Sequence, residues 1–345
     1  MRMRLPRVLH VWVFLALAVT LIVIAMILPS ARAAGGPFSD VPPGNELANA
    51  VEYLKAQGIV NGYSDGTFRP DQLVERAEAV KILVTAKGVD DVSSMKTSSY
   101  SDVPSGAWFL PYVEWSFQKL HIIDGPPKST AFHPSRNVTK AEFIKMVLLS
   151  QGADPNSYSE ITLPLSSDVT DPKAWYYPTM RLAIALSMTD AGKAGTIQPA
   201  RNLSRADVAL LLYRYLQYKS GNRTQALLTE VENNLLLTTQ NLNGKNVREA
   251  EYASARALLA ARGAHDIASN QSIVNAALKL TEAYRALVRG YQASLNKQFS
   301  AAAKLCTDAW SIAKTATQFD PGVTSLSQKV QKSAQDLAKQ CRTQL

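Results

Sequence analysis

Phe38-Ser39-Asp40-Val41, followed by Gly58-Ile59-Val60-Asn61-Gly62-Tyr63-Ser64-Asp65-Gly66-Thr67-Phe68-Arg69-Pro70 and Glu75-Arg76-Ala77-Glu78, is a pattern that returns twice along the chain. The second copy opens at Tyr100-Ser101-Asp102-Val103, passes Trp108 and Trp115, and reaches Ala131-Phe132-His133-Pro134 and Val138-Thr139-Lys140-Ala141-Glu142. The third opens at Ser167-Asp168-Val169, passes Trp175, and reaches Thr196-Ile197-Gln198-Pro199 and Leu203-Ser204-Arg205-Ala206-Asp207. From the opening Asp to the basic residue of the last motif the spacing is 36, 38 and 37 residues, and those basic residues lie 64 and 65 apart. Periods of this kind mark a repeat architecture.

Each unit reads as helix, loop, helix. Apolar residues recur at helical spacing in the first helix (Leu47, Val51, Leu54; Tyr112, Trp115, Leu120). The loop is dense in Gly, Asp and Pro, and its Phe-x-Pro end turns an aromatic toward the core before proline stops continuation. Thr139 with Glu142 and Ser204 with Asp207 have capping-box spacing, so a second helix starts there. One helix pair cannot bury both of its faces, and the expected fold is mainly α, with three pairs packed around a pseudo-threefold axis. The units are bounded at 34–92, 93–158 and 159–219.

These motifs resemble the S-layer homology (SLH) domain, whose last motif is typically Thr-Arg-Ala-Glu. Unit one resembles it throughout. Units two and three do so through the opening Asp-Val, the Trp and the terminal motif. The resemblance implies a three-repeat helical prism that binds cell-wall carbohydrate noncovalently, either an anionic, often pyruvylated, secondary polymer or peptidoglycan. It carries the basic position of the terminal motif onto Arg76, Lys140 and Arg205. A guanidinium offers a planar fork to a carboxylate and lysine a point charge, so the Lys140 groove is expected to be the weaker. The plainer alternative is that these cations pair with Glu78 or Asp207. Trp108 and Trp175 fall at the family's aromatic position on the first helix, where they either stack on sugar or pack in the core; unit one has Glu46 there. Gly62, Asp65 and Gly66 complete the candidate polymer-binding set, with the glycines either admitting ligand or permitting turns. Asp65 and Asp124 lack the alternating series of a calcium loop, so no metal or other cofactor is expected.

Outward from the repeats, the first 33 residues hold four arginines and no acid, and removing them lowers the net charge from +9 to +5. Val11 to Leu28 is an unbroken apolar run followed by Pro29 and Ala31-Arg32-Ala33-Ala34. Residues 1–33 read as an export signal, the alternative being an uncleaved membrane anchor. Either reading places the rest outside the cytoplasm.

Residues 220–345 turn to Ala, Leu, Gln and Lys and carry 15 basic against 9 acidic residues from Gly221 onward. A solvated helical face is the ordinary reading of such an excess. Helices are expected over 223–242, 246–262, 267–317 and 323–343, broken at Asn243-Gly244, Gly263 and Asp320-Pro321-Gly322, with a bend at Gly290. Ile273, Ala277, Leu280, Tyr284, Leu287, Tyr291, Leu295, Phe299 and Ala302 keep a near 3.5-residue spacing, the core stripe of a helical bundle. An unidentified protein could also dock on these helices. Export makes a Cys306–Cys341 disulfide attractive. A hairpin centred near residue 321 leaves the pair roughly 9 Å out of register, beyond the reach of about 7 Å, whereas a later start for the last helix would bring them together, so the bond stays open.

No G-x-S-x-G, H-E-x-x-H or glycine-rich phosphate loop occurs, and the four histidines form no ligand pair. An enzyme is not expected, nor is nucleic acid as a partner. The expected function is a surface anchor presenting a helical domain at the cell wall. The alternatives are a subunit of a surface lattice and a membrane-anchored envelope protein.

Overall fold

The computed structural model describes residues 36–125, 127–192 and 194–344. The export or anchor segment at 1–33 lies outside them, and no described helix is long and apolar enough to cross a membrane. Three helix pairs follow one another: α1 (Glu46–Ala56) with α2 (Arg76–Ala86), α3 (Leu110–Gln118) with α4 (Lys140–Ser150), and α5 (Tyr177–Ala185) with α6 (Arg205–Lys219). Among the described residues there is no strand, only isolated antiparallel bridges.

Three of those bridges, Leu73 with Ser204, Glu75 with Asn137 and Thr139 with Asn202, sit where the three units meet. Val74 N donates to the Leu203 carbonyl at 2.9 Å, Val138 N to Val74 at 2.9 Å, and Leu203 N to Val138 at 3.0 Å. The three bonds close a ring through three fully buried residues, so the pseudo-threefold axis is a hydrogen-bonded triangle. One residue pair further out the pattern repeats: Arg76 N donates to Arg136 O (2.9 Å), Lys140 N to Arg201 O (2.9 Å) and Arg205 N to Gln72 O (2.8 Å). Helix N-termini leave unpaired N–H groups, and each second helix gives two of them to the loop of the next unit. Thr139 with Glu142 and Ser204 with Asp207 form the expected capping boxes.

The opening aspartates hold these loops in shape. Asp40 accepts from Phe68 N and Arg69 N (2.7 Å each), Asp102 from Phe132 N and His133 N (2.7 Å each), and Asp168 from Ile197 N and Gln198 N (3.0 and 2.7 Å). The second residue of each pair is left-handed, with φ of 57°, 58° and 60° at Arg69, His133 and Gln198. A side chain costs energy in that region, and the carboxylate fork offsets the cost. The preceding residue (Phe68, Phe132, Ile197) is thereby driven into the core.

Five helices follow: α7 (Thr224–Asn243), α8 (Val247–Ala268), α9 (Ser272–Leu295), α10 (Phe299–Phe319) and α11 (Thr324–Arg342). Two sequence expectations fail here. The single helix over 267–317 is two, because the chain reverses at Asn296-Lys297-Gln298, where Lys297 takes φ 59°. Lys297 N returns to Ser294 O (3.0 Å) and Gln298 N to Ala293 O (2.9 Å), a helix stop made without glycine or proline. The apolar stripe of α9 therefore ends at Tyr291, which packs against the bundle core, and Leu295 is exposed.

Gly263 is no break either, since it lies inside α8. A Cβ there would meet the Ala185 carbonyl oxygen at 1.6 Å, so glycine lets α8 lie directly against the end of α5. Gly290 serves a similar approach, its Cβ position being 3.1 Å from Cys306 Sγ on α10. Cys306 and Cys341 are buried and unbonded, and Cys341 Sγ lies 3.7 Å from Ser294 Oγ.

The bundle shares a core with the repeats. Ala255 and Leu259 of α8 belong to the cluster that fills the three units. Arg256 is buried between them, donating to Leu165 O (2.7 Å) and Asn234 Oδ1 (3.0 Å) and paired with Asp190 (3.1 Å).

Candidate functional site

Three threefold-equivalent grooves separate the units, and each is assembled from all three. The first motif cation of each second helix reaches into the next unit's loop. Arg76 Nε donates to Phe132 O (3.0 Å), Lys140 Nζ to Ile197 O (2.7 Å) and Arg205 Nε to Phe68 O (2.8 Å). Five residues on, the neighbouring second helix contributes Lys81, Lys145 or Leu210, and the next unit's first-helix start contributes Trp108, Trp175 or Glu46.

The first groove holds about 280 Å³ and joins Arg205, Lys81 and Trp108 with Asn61 and Glu78. Trp108 is 54% exposed, and Lys81 Nζ stands 5.4 Å from its ring centre. Arg205 spends Nε on Phe68 and Nη2 on Asn61 O (3.0 Å), and its guanidinium lies over the Phe68 ring at 4.7 Å. It has no acidic partner among the described residues, because Asp207 is taken by a two-point bond from Arg201 (2.8 Å each). The sequence alternative of an Arg205–Asp207 pair is thus set aside by geometry.

The second groove holds about 470 Å³ and joins Arg76, Lys145 and Trp175 with His133, Arg136 and Glu142. Trp175 is 58% exposed, with Lys145 Nζ at 5.8 Å from its ring. Arg76 is held over Phe132 at 4.9 Å and lies 3.6 Å from Glu142, which also takes Arg136. Burial lowers the Arg76 pKa and Glu142 opposes the shift. Glu78, the partner weighed from sequence, instead caps Glu75 N at 2.9 Å. Both tryptophans precede their helices by two residues, and neither is core.

At the third position none of the three features is kept: Lys140, Leu210 and Glu46 stand in place of Arg, Lys and Trp. This groove is filled by the protein itself. Arg214 and Arg223 both bind Glu46, with Arg223 Nη1 at 2.9 Å. Arg223 also donates to Ser187 O (3.1 Å), and Ser187 Oγ to Glu230 Oε1 (2.6 Å) on α7. Asn234 reaches Asp190 at 3.3 Å. Lys140 is enclosed, donating also to Thr189 Oγ1 (3.2 Å), and burial, with Arg201 adding, brings its pKa down to about 8.

Gly62, Asp65 and Gly66 do not line the first groove. A Cβ on Gly62 would strike the Phe38 ring at 1.9 Å, Gly66 turns with φ 81°, and Asp65 binds Thr67 and Arg69 within its own loop. Sequence reasoning missed Lys81 and Lys145. The signal was their common offset of five from Arg76 and Lys140.

The sequence model of the S-layer homology domain matches residues 37–80 and 99–144, two units rather than three. The chain is 25% identical over 214 residues to S-layer protein EA1 of Bacillus anthracis, covering 62% of this chain and 24% of that protein. It is 25% identical over 209 residues to a cellulosome-anchoring protein of Acetivibrio thermocellus, covering 56% and 42%. An amylopullulanase of Thermoanaerobacterium thermosulfurigenes is 26% identical over 190 residues, covering 54% and 10%. The chain spans less than half the length of each of these three relatives.

Proposed function

We propose that this chain is an exported, non-enzymatic surface protein that holds an acidic cell-wall polymer in two open grooves and presents a rigidly docked helical bundle. In this reading residues 159–219 are a third S-layer homology unit. Their place in the Val74–Val138–Leu203 ring and their Asp168 fork support it. The observation that carries the function is the recurrence, in both open grooves, of an arginine, a lysine and an exposed tryptophan drawn from three units. Arginine forks bind carboxylate or phosphate oxygens, while an indole face covers the apolar side of a sugar ring. Two such grooves on one rigid body can engage one polymer at two points, raising affinity through effective concentration.

Pulldown of the chain with purified bacterial wall, before and after acid extraction of secondary polymers, tests the reading. Binding that disappears on extraction supports an anionic secondary polymer; binding that persists points to peptidoglycan. No retention on either wall would overturn anchoring. The names of the surface-layer relatives favour one other role, a lattice subunit, for which light scattering should reveal self-association at low concentration.

A further inference from the structure

Among the described residues, three tryptophans carry a lysine ammonium within 6 Å of the ring centre. Two are Trp108 with Lys81 (5.4 Å) and Trp175 with Lys145 (5.8 Å); the other, Trp310 with Lys314 (5.5 Å), is on α10 of the bundle. Trp310 lines a cleft of about 410 Å³ between α10 and α11, together with Thr307, Gln335, Lys339 and Arg342. Cys306, Ala334 and Ala338 in its lining are small and buried, and Trp310 itself is half-buried. No acid lines it. Lys314, Lys339 and Arg342 are exposed and enter no ion pair among the described residues.

We propose that the Trp310 cleft is an additional binding site for an acidic carbohydrate polymer, with Trp310 as the sugar platform and Arg342 and Lys339 as the anion contacts. The source of the polymer, the wall, rests on the function proposed above; the chemistry of the cleft stands on its own residues. The grooves likewise combine an indole, a lysine and an arginine in one cavity; in the Trp310 cleft the lining lysine is Lys339, while Lys314 flanks the ring from outside the lining. Thr307 and Gln335 add hydroxyl and amide groups at the rim, suited to sugar hydroxyls. The ordinary role of Lys339 and Arg342, favourable charge at a helix C-terminus, accounts for neither the cleft nor Trp310.

The test uses the full chain carrying R76A and R205A, so that the two grooves are weakened. Polygalacturonate, polyglutamate and neutral dextran are titrated into it by calorimetry. Polygalacturonate should still bind, more tightly than polyglutamate, and dextran should not. Adding W310A should weaken polygalacturonate by about tenfold, and adding K339Q with R342Q by at least as much. W310F, which keeps an aromatic face, should retain most of the affinity and guards against a folding defect. Equal binding of polygalacturonate with and without W310A would overturn the site, as would equal affinity for polyglutamate. The unmodified chain in the wall pulldown reports separately on the grooves, so each idea can fail alone.

Discussion

Gly263 of α8 lies so close to Ala185 at the end of α5 that a methyl group on it would stand 1.6 Å from the Ala185 carbonyl oxygen. Backbone cannot yield as a flexible side chain can, so the two helices must part to admit Cβ. The Gly263→Ala variant should lose about 3 kcal/mol of stability. It should also loosen the Arg256–Asp190 pair, which sits on the same helix face. Thermal unfolding together with proteolysis between α6 and α7 measures both effects. An unchanged melting temperature would show that the bundle is not held here.

Glu230 gives the same interface a pH dependence. Burial, with Asp190 adding, pushes its carboxyl up to about 7, against the opposing pull of Ser187 and Arg223, and its Oε2 is buried with no hydrogen-bond partner among the described residues. The unfolded chain ionises Glu230 near 4.5, so between there and about 7 the folded state binds the extra proton. Stability should fall as pH rises through that window and level off above it. Its total is on the order of 3 kcal/mol. Glu230→Gln should flatten this part of the curve and be the more stable form at pH 8. Denaturant midpoints at pH 5, 6.5 and 8 for both proteins decide it.

The aspartate forks make a matched series. Asn in place of Asp168 turns one acceptor into a donor facing an N–H, and the left-handed residue Gln198 loses its tether. Asp168→Asn should cost about 1.5–3 kcal/mol, with Asp40→Asn and Asp102→Asn moving the melting temperature the same way. At Asp168 burial would raise the pKa, but Ser166 Oγ and two backbone donors hold it below the ordinary value. Its contribution is therefore present above about pH 4 and lost as pH falls through the depressed folded pKa. Fluorescence of Trp175 during acid unfolding should follow that loss.

Much of this architecture was legible because local chemistry and global geometry agree. Thr139–Glu142 and Ser204–Asp207 mark helix starts by rules that need no tertiary partner. The period of the motif then forces equivalent packing. The Lys297 turn was illegible for the opposite reason, since a lysine in a left-handed stop carries no compositional flag. Gly263 misled because glycine marks both chain breaks and close approaches, and only the neighbouring Ala185 distinguishes them. At the site, the arginine positions could be read from the motif. The closing of the third groove could not, because Glu46 meets Arg214 and Arg223 across 168 and 177 residues. The substitution of Trp by Glu at that position was the visible trace.

The two open grooves should contribute unequally to wall binding. Arg205 has no acid partner among the described residues, and with Nε and one Nη2 hydrogen bound to carbonyls, Nη1 and the second Nη2 hydrogen remain as a fork for a ligand. Arg76 shares its field with Glu142 at 3.6 Å, so part of its charge is already answered. Losing a charge-assisted bond costs on the order of 1.5–3 kcal/mol. Arg205→Ala should weaken binding to purified wall by about ten- to a hundredfold, and Arg76→Ala by less. Arg205→Lys should keep attraction and lose the two-point geometry, falling between parent and alanine. Lys81→Ala and Trp108→Ala should mimic Arg205→Ala, because all three line one groove. Lys140→Ala, in the closed groove, should lower the melting temperature through the lost Ile197 and Thr189 bonds and leave affinity unchanged. Equilibrium binding to wall fragments, with circular dichroism on each variant, reads these out. If Lys140→Ala weakens binding as much as Arg205→Ala while the fold holds, the third groove is a working site and its closure by α7 is reversible.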